Sequence, residues 1–202
     1  GCCHYLEEQG FDITFLPPDA EGIVSAAQVA QALRPDTLLV SLMLANNEIG
    51  SIQPVAEVGR LLAEHGVLLH TDAVQQLGVD MLTISGHKIN GPKGIGALYV
   101  RHGVDLQPLL FGGGQERRLR SGTENMPGIV GLGVAAEITA KRWPQQARQA
   151  AAVRDCFWHE LQQLIGGVVV NGGWSQRLPG NLNLSFQDVE GAALLLFLDL
   201  AG

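Results

Sequence analysis

The chain has 202 residues, with 13 Lys+Arg against 20 Asp+Glu and a net charge of −7 at pH 7. That length holds one large domain, or one with part of another, and 46% hydrophobic beside 16% charged residues excludes a disordered or tail-like chain. The acidic balance, with no stripe of Lys or Arg, argues against nucleic acid as a partner. No apolar run reaches ~18 residues, so no membrane span is expected. Cys2, Cys3 and Cys156 are too few for a disulfide scaffold and lack zinc-site spacing, which makes a reducing, cytoplasmic setting the expectation. Gly1 stands where Met would open a gene, and the apolar run Ala192 to Leu198 reads as a helix cut just past its end. The sequence is therefore expected to be the middle of a longer protein.

Elements alternate along the chain. Ser25 to Leu33 reads as a helix, with Ser25 as N-cap and Val29 and Leu33 on one face. Thr37 to Leu44 is a nearly continuous apolar run, the pattern of a strand buried on both faces. Pro54 suits the first position of a second helix, closed by Gly66. Strands are expected at Val67 to His70, Met81 to Ile84 and Ala97 to Val100. Strand, helix and strand in this order imply an α/β layer with a mostly parallel sheet. Beyond Ile129 the character changes: helices at Ile129 to Arg142 and Gln146 to Ile165 are separated by Trp143-Pro144, which reads as a break and a domain boundary. Val168 to Val170 and Leu182 to Phe186 are strand-like around the Gly/Asn-rich loop Asn171 to Asn181, and Gly191 to Leu200 is a last helix.

One connection conflicts with this plan. A parallel neighbour needs a crossover of a dozen or more residues, yet only Ala73 to Asp80 separate two of the strands. Either those strands are antiparallel, or they are not adjacent, or residues are absent after Gly78; the last is the expectation.

Four polar clusters follow apolar strands, where open α/β sheets place their ligand crevice. They are Asn46-Asn47-Glu48, His70 to Gln75, Ser85-Gly86-His87-Lys88, and Gly112 to Thr123. Lys88, beside Lys93 and His87, suits Schiff-base chemistry if partly desolvated, although alone it reads more readily as a solvated loop lysine. Asp72 could hold a protonated pyridine nitrogen while Gln75 reaches a ring hydroxyl, the pairing that makes pyridoxal phosphate an electron sink; alone, Asp72 is as readily an N-cap. Ser85, His87 and Thr123 offer donors suited to a phosphate. Gly91 to Gly96 lacks the order of a dinucleotide or Walker loop and reads as turn residues. His70, Asp72 and His87 could instead be read as metal ligands, but H-x-D without a third spaced ligand is weak.

ANNEIG (45–50), HTDAVQ (70–75), SGHKINGPKGIGALYVR (85–101) and GGGQERRLRSGTENMPGIVGLG (112–133) together resemble the NifS/IscS-like cysteine desulfurases. These are class V, fold-type I pyridoxal-phosphate enzymes, with selenocysteine lyase a close relative. The resemblance runs from about Tyr5 to Leu200. It implies a fold-type I α/β architecture, with a large cofactor-binding domain over 1–143 and part of a small α+β C-terminal domain over 144–202. It also implies that Lys88 carries the cofactor and shuttles the substrate's α-proton, and that Asp72 pairs with the pyridine nitrogen. Gln75 and Asn47 would bond the ring oxygen, and Ser85 and His87 the phosphate. Thr123 would reach the phosphate of the other subunit in a homodimer. The implied reaction takes sulfur from L-cysteine, leaving alanine and an enzyme persulfide for an iron–sulfur scaffold or another acceptor protein. Selenocysteine lyase or class V aminotransferase activity, or a catalytically incomplete fragment that only dimerises or binds partners, are the alternatives.

The sequence departs from that family in three places. Its nucleophilic cysteine is expected beyond Gly202, since Cys2, Cys3 and Cys156 match no such motif and read as structural. An aromatic-stacking His and a phosphate-binding Gly/Thr turn are expected before Gly1, and the substrate-carboxylate Arg after Gly202. Asp72 to Lys88 spans 16 positions, shorter than the family implies, which places absent residues at the same point as the short crossover.

Overall fold

A computed structural model of the chain describes residues 1–72 and 78–202. Helices α1 (Cys2–Glu8), α2 (Ala26–Ala32) and α3 (Val55–His65) precede and interleave with strands β1 (Leu39–Ser41), β2 (Leu68–Asp72), β3 (Met81–Ser85) and β4 (Gly96–Val100). After β4 come the long helix α4 (Met126–Leu164), the hairpin strands β5 (Val168–Val170) and β6 (Leu184–Phe186), and α5 (Gly191–Ala201). The main sheet has the order β1-β2-β3-β4, with β1, β2 and β3 parallel and β4 antiparallel.

Local chemistry sets the helix ends. Ser25 caps α2 in a reciprocal box, its Oγ accepting from Gln28 N at 3.2 Å while Gln28 Oε1 accepts from Ser25 N at 2.9 Å. Pro54 opens α3, and Gly66 closes it in the left-handed conformation, φ 68°. The apolar stripe of α3 (Val55, Val58, Leu62) then packs with Val29 against Leu69 and Leu82 of the sheet, which is the core of the molecule.

The first apolar run behaves differently from its expectation. Only Leu39–Ser41 is a formal strand, although the ladder continues as Leu42 N donates to His70 O and Leu44 N to Asp72 O. Burial is one-sided: Val40, Leu42 and Leu44 lean on the core, whereas Leu39 is 47% exposed and Leu98, on the same face across the sheet, 53%. Leu39 is thus left open on that second face, although Met81 of β3 on the same face is 7% exposed, so the apolar run is not buried on both sides.

The antiparallel and the distant arrangements of the next two strands are both overturned. β2 and β3 are parallel neighbours in the register His70↔Met81, Thr71↔Leu82 and Asp72↔Thr83.

The expected break at Trp143-Pro144 is also corrected, because α4 runs through it as one 39-residue helix. Proline removes one amide donor and crowds the carbonyl four residues back. That carbonyl belongs to Ala140, in an exposed stretch where water can satisfy it. Near its start α4 rests on the turn after β3, through Ala135 and a hydrogen bond from Thr139 Oγ1 to Ile89 O at 3.5 Å.

Candidate active site

Parallel strands present the same end on one side of the sheet, and the candidate residues gather there. Asp72 is the last residue of β2, and Ser85 the last of β3. A single 3-10 turn, Gly86–Ile89, follows β3 directly and carries His87 and Lys88. Asn47 lies three residues past Leu44, whose amide is bonded to Asp72 O, so its loop is anchored beside the β2 end. Asn47, Asp72, His87 and Lys88 are exposed and Ser85 is half-buried.

Close backbone packing shapes the Lys88 turn. A Cβ on Gly86 would lie 2.8 Å from Ile95 Cγ2, 2.9 Å from Ile95 O and 3.2 Å from Pro92 O. Gly86 N donates to Ile95 O, and Gly91 N to Gly86 O, both at 2.9 Å, so the Gly91 to Gly96 segment folds back on the turn that presents Lys88. Gly94 lies in the turn that the sequence order implied, whereas Gly96 opens β4 and pairs with Ser85.

His70 was read only as a weak metal candidate, and the structure gives it a different task. Its Nδ1 is 2.9 Å from Ser41 Oγ on β1 and its Nε2 2.9 Å from Thr83 Oγ1 on β3. The ring therefore braces three parallel strands just below the end that carries Asp72, and either tautomer is served because hydroxyls donate and accept. With both nitrogens engaged, His70 is unsuited to hold a metal with Asp72 and His87, and no ligand cluster of that kind occurs among the described residues.

Two candidates stand apart. Gln75 lies outside the described residues. Thr123 is exposed in the loop after a short turn at Glu116–Arg118, and the hydrogen bonds of that loop are internal: Ser121 Oγ donates to Gly113 O at 3.0 Å, and Gly122 N to Gln115 Oε1 at 3.2 Å. Among the described residues no hydrogen bond ties Thr123 to the strand edge.

The three cysteines are free and exposed. The Glu160 carboxylate raises the Cys156 thiol above its ordinary pKa, first by its charge and then by accepting the S–H at 3.6 Å, which disfavours the thiolate there.

Sequence reading passed over the segment that supports Asn47. Asn181 Nδ2 donates to Glu48 O at 3.0 Å and Asn47 O at 3.4 Å, Asn183 Nδ2 donates to Glu48 O at 3.2 Å, and Leu178 N donates to Gly50 O at 2.8 Å. The available signal was a single charge, Arg177, inside the otherwise uncharged stretch 171–181.

The donor set at this edge fits pyridoxal phosphate chemically. It combines an acceptor carboxylate for a ring nitrogen, an amine for its aldehyde carbon, and a hydroxyl and an imidazole beside a tight turn for a phosphate. Among the described residues none of the side chains of Asn47, Asp72, Ser85, His87 or Lys88 is spent on a protein hydrogen bond, whereas the neighbouring Asn46 Oδ1 and both ring nitrogens of His70 are engaged.

Known proteins resemble the chain over almost its whole length. The chain is 47% identical over 210 aligned positions to the cysteine desulfurase IscS of Dictyoglomus turgidum, covering 99% of this chain and 53% of that protein. Those 210 positions exceed the 202 residues here, so the relative carries residues without a counterpart in this chain. A solved NifS-like protein superposes with a TM-score of 0.92 at 39% identity, covering 99% of this chain and 57% of that one. DndA from Streptomyces lividans gives 0.89 at 42% identity, covering 98% and 59%. The fold is thus the fold-type I α/β architecture, and the chain spans about half the length of the curated relatives it matches. The aminotransferase class-V family model matches residues 2–202, and the chain belongs to that family.

Proposed function

We propose that this chain is the cofactor-bearing half of a pyridoxal-phosphate cysteine desulfurase, which removes sulfur from L-cysteine to leave alanine and hands the sulfur to an acceptor protein. The observation that carries this reading is the gathering of Asn47, Asp72, Ser85, His87 and Lys88 at one end of the parallel strands. The similarity to IscS and NifS-like proteins selects sulfur chemistry from the wider class V repertoire.

Pyridoxal phosphate, when bound, supplies the electron sink that stabilises negative charge at the substrate's α-carbon. Lys88 would hold the cofactor through its Nζ and, once the substrate's amine has displaced it, the freed Nζ would move the α-proton on and off. Asp72 keeps the pyridine nitrogen protonated by presenting its carboxylate. Asn47 and Gln75 bond the ring oxygen, while Ser85 and His87 bind the phosphate. Thr123 serves the phosphate of a second copy, which makes a homodimer part of the site. The thiol that accepts the sulfur belongs to the whole protein, and the Glu160-suppressed thiol of Cys156 is poorly suited to the role. The residues that relatives carry in excess belong after Gly78, where the crossover is short. The division at 143/144 falls within α4, with the smaller part following it. Exposed, unpaired cysteines suit a reducing cytoplasm, and no helix among the described residues is long and apolar enough to cross a membrane.

The test is direct. The complete gene product should be yellow and should release alanine from L-cysteine, and Lys88→Ala should lose both properties while keeping its circular dichroism. A parent protein that stays colourless with added pyridoxal phosphate, or a yellow one that leaves cysteine intact, refutes this reading.

A further inference from the structure

A buried arginine far from the Lys88 turn in sequence organises the loop that carries Asn47. Arg177 is 6% exposed, and no carboxylate lies within ion-pairing distance of it among the described residues. Its guanidinium is instead spent on oxygens of its own loop. Nε donates to Gly173 O at 3.2 Å, Nη2 to Gly172 O at 3.0 Å and to Asn171 O, and Nη1 to Asn181 Oδ1 at 3.0 Å. Burial, with a smaller push from the charge of Arg154, holds the guanidinium below its ordinary pKa. A charge kept buried without a counter-charge is costly unless its donors are satisfied, so the surrounding oxygens are a built cradle.

The polarity of the cradle has a consequence. A guanidinium only donates, so the side-chain oxygen of Asn181 must face it, and Nδ2 is forced to point the other way. There it meets the carbonyls of Asn47 and Glu48. The same two segments are stitched by an antiparallel bridge between Ser51 and Arg177 and by Ile52 N donating to Gln176 O at 2.9 Å. The approach is close: Gly172 has φ 79°, and a Cβ there would lie 2.9 Å from Ile49 O.

We infer that Arg177 is a positioning residue for the cofactor site: by fixing the orientation of the Asn181 amide, it holds the Asn47-Glu48 backbone against the β2 end. The inference rests on the proposed role of Asn47 at the ring oxygen. It adds that a group following α4 in the chain sets where Asn47 stands.

Arg177→Gln is the obvious variant, but emptying the cradle of its cation strips several buried oxygens of their donors and puts the fold itself at stake. Asn181→Asp is cleaner, since it keeps an acceptor facing Arg177, now charged as its counter-ion, and sets a carboxylate oxygen where the amide donated to Asn47 O and Glu48 O. In the complete gene product loaded with pyridoxal phosphate, N181D should leave the urea midpoint near the parent's. Amide hydrogen exchange at Glu48, Ile49 and Gly50 should accelerate about three- to tenfold, and the pyridoxal-phosphate dissociation constant should rise by a similar factor, the worth of one or two hydrogen bonds. Unchanged exchange at those amides overturns the clamp. Faster exchange with an unchanged dissociation constant overturns the positioning role and leaves a purely structural staple. A parent that binds no pyridoxal phosphate refutes the site reading itself, and is recognised because the failure precedes any substitution.

Discussion

Replacing Gly86 with alanine probes the tightest packing at the Lys88 turn. The added methyl would sit 2.8 Å from Ile95 Cγ2, 2.9 Å from Ile95 O and 3.2 Å from Pro92 O. Two of the three obstacles are backbone oxygens, and one of them accepts the hydrogen bond from Gly86's own amide. Side-chain rotation cannot relieve that contact. Overpacking of a filled site costs about 1–3 kcal/mol, and losing the Gly86–Ile95 hydrogen bond adds about 1 kcal/mol. G86A should therefore be destabilised by roughly 2–4 kcal/mol in urea unfolding with an unchanged m-value. Ile95→Ala removes the Cγ2 obstacle and leaves the carbonyl, so the double variant should recover less than about 1 kcal/mol of the loss in a mutant cycle. G86A within about 0.5 kcal/mol of the parent, or full recovery in the double variant, would refute the argument that backbone contact fixes this turn.

Removing the α2 cap by Ser25→Ala should cost about 1 kcal/mol in the same unfolding assay, and Ser25→Asp should restore most of it, because either side chain accepts from Gln28 N. Glu160→Gln should speed alkylation of Cys156 by iodoacetamide roughly two- to fivefold near neutral pH, the scale of an exposed charge effect. The sign follows from the cause: Glu160 raises the thiol's pKa, so its neutralisation lowers that pKa and enlarges the thiolate fraction. Mass spectrometry of tryptic peptides reads the rate, and an unchanged or slower rate counts against the pairing.

The strands and the site were legible because apolar runs ending in polar clusters carry both the sheet and its crevice. Asp72 and Ser85 sit at the ends of β2 and β3 as those patterns implied. The helix through Pro144 was not legible, because proline's local cost is certain while the exposed surface that absorbs it depends on the tertiary fold. One-sided burial of β1 was equally hidden, since an apolar run does not record what covers each face. His70's brace depends on the registers Ser41↔His70 and Asp72↔Thr83, which place hydroxyls on both flanks and cannot be read from any one strand. Helix α1 was not foreseen, and none of its residues is buried.

The unbroken course of α4 joins two places that the chain order keeps apart. Ala135 and Thr139 touch the Lys88 turn, while Arg154 Nη1 donates to Leu178 O at 3.3 Å and its guanidinium stacks 5.0 Å from the Trp174 ring centre. Pro144 falls between them, about 15 Å short of Arg154 along the axis. A bend of about 10° there would swing Arg154 by roughly 3 Å. The helix thus spans from the turn that carries the amine to the loop that holds the asparagine, with a proline between its two contacts.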